Sequence, residues 1–152
     1  MTYEQALSRA ARLCSGSEHC TAQIEEKLRQ WEVDEADAAR IIDYLVKEKY
    51  IDNARFSRAF VSDKFRYNHW GRLKIRQALR FLHIPDPDIR EALEAIDEDE
   101  YAETLRKIIV QKARSLRDED PYVRRAKLVR HAASRGFETD IVLSLLSDFP
   151  ED

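Results

Sequence analysis

Between Arg55 and Arg80 the chain carries eight basic residues against a single acid, Asp63, although its formal net charge is −3. The bases are Arg55, Arg58, Lys64, Arg66, Arg72, Lys74, Arg76 and Arg80, and Tyr67, His69 and Trp70 stand among them. Cations interleaved with aromatic rings suit a polyanionic partner, either a phosphate backbone or an acidic protein groove. A second cluster, Arg124, Arg125, Lys127, Arg130 and Arg135, lies between Pro121 and Phe137 with no acid. An acidic chain with two such stretches confines contact with an anion to one face. The competing reading makes Trp70 a core residue and the arginines a solvated helix face.

Other chemistry is poorly supplied. Gly16, Gly71 and Gly136 are the only glycines, so neither a GxGxxG nor a Walker A loop can be written. His19, His69, His83 and His131 form no HxxxH pair. Cys14 and Cys20, with only His19 nearby, fall short of the four ligands of a zinc site. Cys14 fits the buried face of a helix, and Cys20 is expected exposed in a turn. Carboxylate pairs such as Glu25-Glu26 and the run Glu98–Glu100 belong to exposed faces or helix starts, where acids favour the helix dipole. No serine sits on a nucleophile elbow. No catalytic, cofactor-binding or metal-binding residue is assigned, and the chain is expected to bind rather than catalyse.

These residues must be positioned by helices. Three glycines and four prolines in 152 residues, with abundant Ala, Leu, Glu, Lys and Arg, predict a nearly all-helical chain. No run approaches the ~18 apolar residues that cross a bilayer. Met-Thr-Tyr-Glu at the start lacks the basic and apolar regions of a signal peptide, so the expected location is cytoplasmic.

Apolar spacing predicts helices from Thr2 to Ser15, from Cys20-Thr21 to Trp31, and from Asp34 to Lys49 with Ala38, Ile41, Ile42, Leu45 and Val46 inward. Thr2 with Gln5 reads as a capping box, Thr21 as a further cap, and Asp52 as the N-cap of the next helix, whose stripe includes Phe56, Phe60 and Phe65. A break at Asn68–Gly71 precedes a helix from Arg72 to Leu82, with Ile75 and Leu79 in the core. Trp70 is expected at least half buried at that junction. Pro87 begins another helix. Further helices follow the acidic run Asp97–Glu100 and Pro121, and Thr139 or Asp140 opens the last, with Ile141, Leu145, Leu146 and Phe149 inward and Pro150 as its end. Gly136 is placed as a glycine just past a helix end.

Set side by side, Ile24–Leu28–Val33, Ile75–Leu79–Ile84 and Leu128–Ala132–Phe137 share apolar residues at i, i+4 and i+9. Each group is followed by a short helix with an apolar pair four apart: Ile41/Leu45, Ile89/Leu93 and Ile141/Leu145. The period is roughly 50 residues, the mark of stacked helical repeats. The units are 1–50, 51–96 and 97–152.

Asp52, Arg55-Phe56, Arg66, Gly71, Lys74-Ile75, Leu79 and Ile84 resemble the central block of the RecX family, regulators of the RecA recombinase. Leu128, Arg135-Gly136-Phe137 and Ile141 resemble that family's C-terminal block. Two turns depart from it. Leu82-His83-Ile84 and Trp31-Glu32-Val33 lack the glycine the family places there.

The resemblance implies an all-α protein of three tandem three-helix repeats, stacked into an elongated, curved right-handed array. Such proteins are expected to lie along the groove of the RecA–DNA filament and hinder recombination, ATP hydrolysis and strand exchange; a repeat stack with polar outer faces is itself expected to be a monomer. The expected contact residues are Arg66, Trp70, Arg72, Lys74, Arg76 and Arg80, with Arg124, Arg125, Lys127 and Arg130 as a second set. DNA inside the filament is a further expected contact. The alternative is a stand-alone DNA-binding protein using Arg72, Lys74, Arg76 and Arg80 on phosphates, with steep salt dependence.

Overall fold

The computed structural model describes residues 1–148, which form nine helices and no strand. They are α1 (Tyr3–Gly16), α2 (Thr21–Gln30), α3 (Glu35–Lys47), α4 (Asn53–Arg66), α5 (Arg72–Phe81), α6 (Asp86–Glu94), α7 (Glu98–Ser115), α8 (Pro121–Ser134) and α9 (Thr139–Ser147). Local chemistry sets the starts. Thr2 accepts the Gln5 N–H while the Gln5 side chain accepts the Thr2 N–H, at 3.1 and 2.8 Å. Asp34, Asp52, Asp97 and Asp120 cap the starts of α3, α4, α7 and α8 with a side-chain oxygen. The Arg55 N–H holds the Asp52 carboxyl below its ordinary pKa, against the opposing effect of burial.

The i, i+4, i+9 spacing has a local cause. In α2, α5 and α8 the residues at i+4 and i+9 are the two ends of one helix-stop motif. The Val33, Ile84 and Phe137 N–H groups reach back to the carbonyls of Leu28, Leu79 and Ala132, at 3.0, 3.2 and 3.1 Å. The preceding N–H groups, of Glu32, His83 and Gly136, bond the carbonyls of Arg29, Arg80 and Ala133. This is the Schellman pattern, with its apolar pair across the stop. It needs a left-handed residue in the middle, and Glu32 (φ 59), His83 (φ 58) and Gly136 (φ 97) supply it. Two of the three are not glycine and carry a steric cost. Both are exposed, so Glu32→Gly and His83→Gly are each expected to stabilise the fold by roughly 0.5–1 kcal/mol, the left-handed penalty less the freedom glycine adds to the unfolded chain. Urea unfolding measures the gain, and a loss in both variants would contradict this account of the turns.

The helices cluster into two compact units. The first holds Met1–Phe60 with Leu79–Ala92, and the second holds Val61–Ala78 with the chain from Leu93 onward. Helices α4, α5 and α6 each contribute residues to both. The first unit packs Ala6, Ala10, Ile24, Leu28, Ile41, Leu45 and Ile51 into one core, with Tyr3, Leu7, Trp31 and Val33 against it. The second centres on an aromatic stack in which Tyr101 lies between Phe65 and Phe137, with ring centroids 5.7 and 5.0 Å away. Ile75 and Leu79 are fully buried, whereas Phe60 is only half buried.

Some sequence expectations are corrected. Cys20 is buried and Cys14 only partly so. Cys20, not Thr21, is the N-cap of α2, and the Thr21 N–H donates to Asn53 Oδ1 at 3.3 Å. That bond pins the start of α2 against the start of α4 and carries Cys20 inside. Val46 is 48% exposed, because α3 buries only the narrow stripe through Ile41 and Leu45. In α9 it is Val142, not Ile141, that is fully buried, with Leu145 and Leu146 largely so. Phe149 and Pro150 lie outside the described residues.

Candidate anion-binding surface

Folding neutralises much of the basic run by bringing acids from distant segments. In the first unit Arg55 bonds Glu18 at 2.5 Å, Arg58 meets Glu91 at 3.3 Å, and Arg80 meets Asp86 at 3.6 Å. In the second, Arg66 is 3.4 Å from Glu100. The pairs of Arg58, Arg80 and Arg66 are substantially exposed and can exchange their acid for another anion at little cost, whereas Arg55 is part-buried and also bonds the Lys49 and Tyr50 carbonyls.

Arg72 is different. Its side chain is 13% exposed, and its guanidinium bonds Glu138 at 3.0 Å and Glu98 at 2.7 Å. The same group lies 3.9 Å from the centre of the Tyr101 ring. Tyr101 Oη accepts the Arg72 backbone N–H at 3.0 Å and donates to Glu138 Oε1. Burial, then the bond to Glu138, raises the Tyr101 pKa well above its ordinary value. Glu138 therefore has its carboxylate committed here, and although it is the N-cap residue of α9 it makes no side-chain cap bond. Arg72 was expected on the contact surface. The structure places it in an internal clamp that joins α5, α7 and the start of α9.

Next to the clamp, two backbones touch. The Gly71 N–H donates to Arg135 O at 2.7 Å, and the Leu73 N–H to Gly136 O at 2.9 Å. Of the open donors at the start of α5, the Leu73 N–H is thus satisfied by the stop of α8 and the Arg72 N–H by Tyr101. Only glycine fits on either side. A Cβ on Gly71 would lie 2.4 Å from the Gly136 carbonyl, and one on Gly136 would lie 2.4 Å from Lys74 Cβ.

Trp70 is partly buried, as expected, and its ring has a lysine on each flank in sequence. Lys64 Nζ lies 4.9 Å and Lys74 Nζ 4.6 Å from the ring centre. The turn that sets this up runs through His69 at φ 57, and the Trp70 N–H bonds back to Lys64 O at 3.0 Å. Arg135 Nη1 donates to Asn68 O at 3.2 Å and ties the end of α8 to the same turn. Burial first, then the nearby charges of Lys112 and Arg135, pull the His131 pKa below its usual value.

Among the second predicted set, Lys127 bonds Glu119 at 2.5 Å, and Arg124 Nη2 reaches Ala113 O at 3.4 Å. Arg124 Nε is buried with no partner. Arg76, Arg125 and Arg130 have no acid within ion-pair distance among the described residues, and Arg125 and Arg130 are exposed. The spacing of residues did not single out Lys64 or Arg135 for the site. Only the left-handed turn at His69 reveals that Trp70 folds back beside Lys64.

Among the described residues no cluster of His, Cys, Asp and Glu could hold a metal ion, and no helix is long and apolar enough to cross a membrane.

Three family models match in order: the RecX first three-helix domain over residues 6–45, the second over 52–93 and the third over 98–146. Regulatory protein RecX of Leuconostoc mesenteroides is 29% identical over 137 residues, 90% of this chain and 51% of that protein. The Clostridium tetani protein of the same name is 31% identical over 127 residues, 82% of this chain and 58% of its own length. The chain thus spans little more than half the length of these two relatives. For regulatory protein RecX of Chlorobaculum tepidum the identity is 30% over 137 residues, 90% of this chain and 83% of that protein. Two solved structures share the fold. A crystal structure of regulatory protein RecX superposes with TM-score 0.89 at 23% identity, over 96% of this chain and 72% of the other. RecX from Lactobacillus salivarius gives 0.87 at 18%, over 96% and 95%. With all three domain types in order and a relative matched over most of its length, the chain belongs to the RecX family of regulatory proteins.

Proposed function

We propose that this protein binds the RecA–DNA filament and modulates it, mainly by inhibiting recombination and ATP hydrolysis. The observation that carries the reading is the ordered set of three RecX domains; the cations around the second and third give it a physical basis. A nucleoprotein filament is a dense array of phosphates and acidic side chains. The proposed contacts are Arg66, Lys74, Arg76 and Arg80 with Arg124, Arg125, Lys127 and Arg130, and Trp70 packed behind Lys74. Arg72 is left out, since its charge is spent on Glu98 and Glu138. The protein acts as a cytoplasmic monomer in this reading.

The test is inhibition of the filament's ATPase by a charge-reversed triple variant, Arg76→Glu, Arg125→Glu and Arg130→Glu. These side chains hold no ion pair among the described residues, so each change should cost no more than about 0.5 kcal/mol of stability. The concentration needed for half inhibition should rise by on the order of tenfold or more. A folded variant that inhibits as well as the parent would overturn the assignment of this surface.

A further inference from the structure

We infer that the outward face of α8 is a docking site for an acidic amphipathic helix of a partner protein. The site is the apolar line Tyr122, Ala126, Val129 and Ala133, with Arg125 on one margin and Arg130 on the other. The inference rests on reading the second basic set as a filament contact, and deepens it: this face meets the protein of the filament and not its DNA.

Three observations converge on this helix. First, α8 has two apolar sides. Leu128 and Ala132 face inward and are its buried residues. Tyr122, Ala126, Val129 and Ala133, at i, i+4, i+7 and i+11, form a second stripe roughly a third of a turn further round. Tyr122 is 84% exposed, Ala126 and Ala133 are exposed, and Val129 is partly buried. One apolar residue on a surface is ordinary, whereas four on one line mark a place where something docks. Second, Pro121–Ser134 holds four Lys or Arg residues and no acid. Lys127 is taken by Glu119 and Arg124 by the Ala113 carbonyl, but Arg125 and Arg130 have no acid within ion-pair distance among the described residues. Third, the face is preformed. Pro121 opens the helix, and the Asp120 carboxylate accepts the Tyr122 and Val123 N–H groups at 3.1 and 3.3 Å. A preformed site loses little freedom on binding.

The choice of partner follows from the order across the face: arginine, apolar line, arginine. A phosphate backbone would use the two arginines and leave the line between them wet. A helix with an apolar stripe of its own covers that line, and acids on both margins of the stripe meet Arg125 and Arg130. Ala126 and Ala133 are small enough to let two helix backbones approach closely. Tyrosine and arginine are the side chains that most often carry protein interfaces. Charge also sets a direction. Asp118 stands exposed just before α8, so the partner's acids belong beside Arg125 and Arg130 and not beyond Tyr122. The line is ~16 Å long. That is too little surface to hold a partner by itself, so the face works as one contact among several.

The experiment measures binding of the full chain to immobilised oligothymidylate, either coated with RecA or bare, by surface plasmon resonance. Tyr122→Ala removes the ring, and Ala126→Gln puts a long neutral side chain in the middle of the line. Neither alters charge, so attraction to phosphate stays the same. Each should weaken binding to the RecA-coated strand about tenfold and leave binding to the bare strand unchanged. Tyr122→Phe keeps the ring and should bind as the parent does. Both positions are exposed, and circular dichroism with a urea midpoint checks that the fold is kept. Raising the salt should leave the Tyr122→Ala loss in place, while the loss in a variant with Arg125→Gln and Arg130→Gln shrinks. Tyr122→Ala and Ala126→Gln proteins that bind the coated strand as tightly as the parent would overturn the docking face and leave the filament reading standing. Equal losses on coated and bare strands would make α8 a nucleic-acid contact, which also overturns it. A parent chain that does not bind the coated strand overturns the proposed function, and the docking face with it.

Discussion

Gly71→Ala is expected to destabilise the second unit by about 3 kcal/mol or more, because the new methyl has nowhere to go. Its Cβ would meet the Gly136 carbonyl carbon and oxygen at 2.4 Å and the Phe137 nitrogen at 2.5 Å. All three are backbone atoms, so no side chain can rotate aside. The Gly71 N–H to Arg135 and Leu73 N–H to Gly136 bonds must stretch, and the fully buried Phe137 moves with them. Gly136→Ala should be at least as costly, since it adds a left-handed φ of 97° to contacts of 2.4 and 2.6 Å with Lys74. Gly16 is the control. It ends α1, and a methyl group added there would find nothing within 4 Å, so Gly16→Ala should be neutral or stabilising by up to about 1 kcal/mol. Urea denaturation of the three variants decides the matter. A Gly71→Ala protein as stable as Gly16→Ala would mean that the two backbones do not touch.

Arg72→Ala is expected to cost about 2–4 kcal/mol, at the lower side of what breaking a buried ion pair costs. The discount reflects Glu98, which is 80% exposed and returns to water once released. Glu138 is only 22% exposed and would keep its carboxylate beside the Tyr101 hydroxyl with no cation to balance it. The packing of the guanidinium on the Tyr101 ring is lost as well. Arg72→Lys should recover little, because one ammonium cannot bond both acids in plane while lying on a ring. Arg125→Ala is the contrast: exposed and without an ion pair among the described residues, it should change stability by no more than about 0.5 kcal/mol. Thermal unfolding reads both. Should Arg72→Ala match Arg125→Ala, the clamp would carry no weight, and Arg72 would return to the set of contact residues.

These two positions show what could be read from the chain beforehand. The helix stops were legible, because an apolar pair five apart across a stop is a local signal, written three times as Leu28/Val33, Leu79/Ile84 and Ala132/Phe137. Helix starts were legible for the same reason: Thr2, Asp34, Asp52 and Asp97 act on neighbours three residues away. Charge was misleading. Counting bases from Arg55 to Arg80 makes every one look available, but Glu18, Glu91, Glu98, Glu100 and Glu138 come from outside that window and occupy five of its cations together with Asp86. Arg72 cannot be told from Arg76 by spacing alone. What separates them is Tyr101, far along the chain. Cys20 failed similarly: a turn was expected to be wet, and the bond from Thr21 to Asn53 draws it inward.

Because α5 takes its first acceptors from the stop of α8, three helices later, the middle helix pair cannot mature on its own. A chain released before α8 is made would expose the start of α5 to water and leave Gly71 facing empty space. Truncation between α7 and α8 should therefore do more than delete the last two helices described: protease sensitivity should spread back to the Asn68–Leu73 segment, and synthesis must run past α8 before that segment settles.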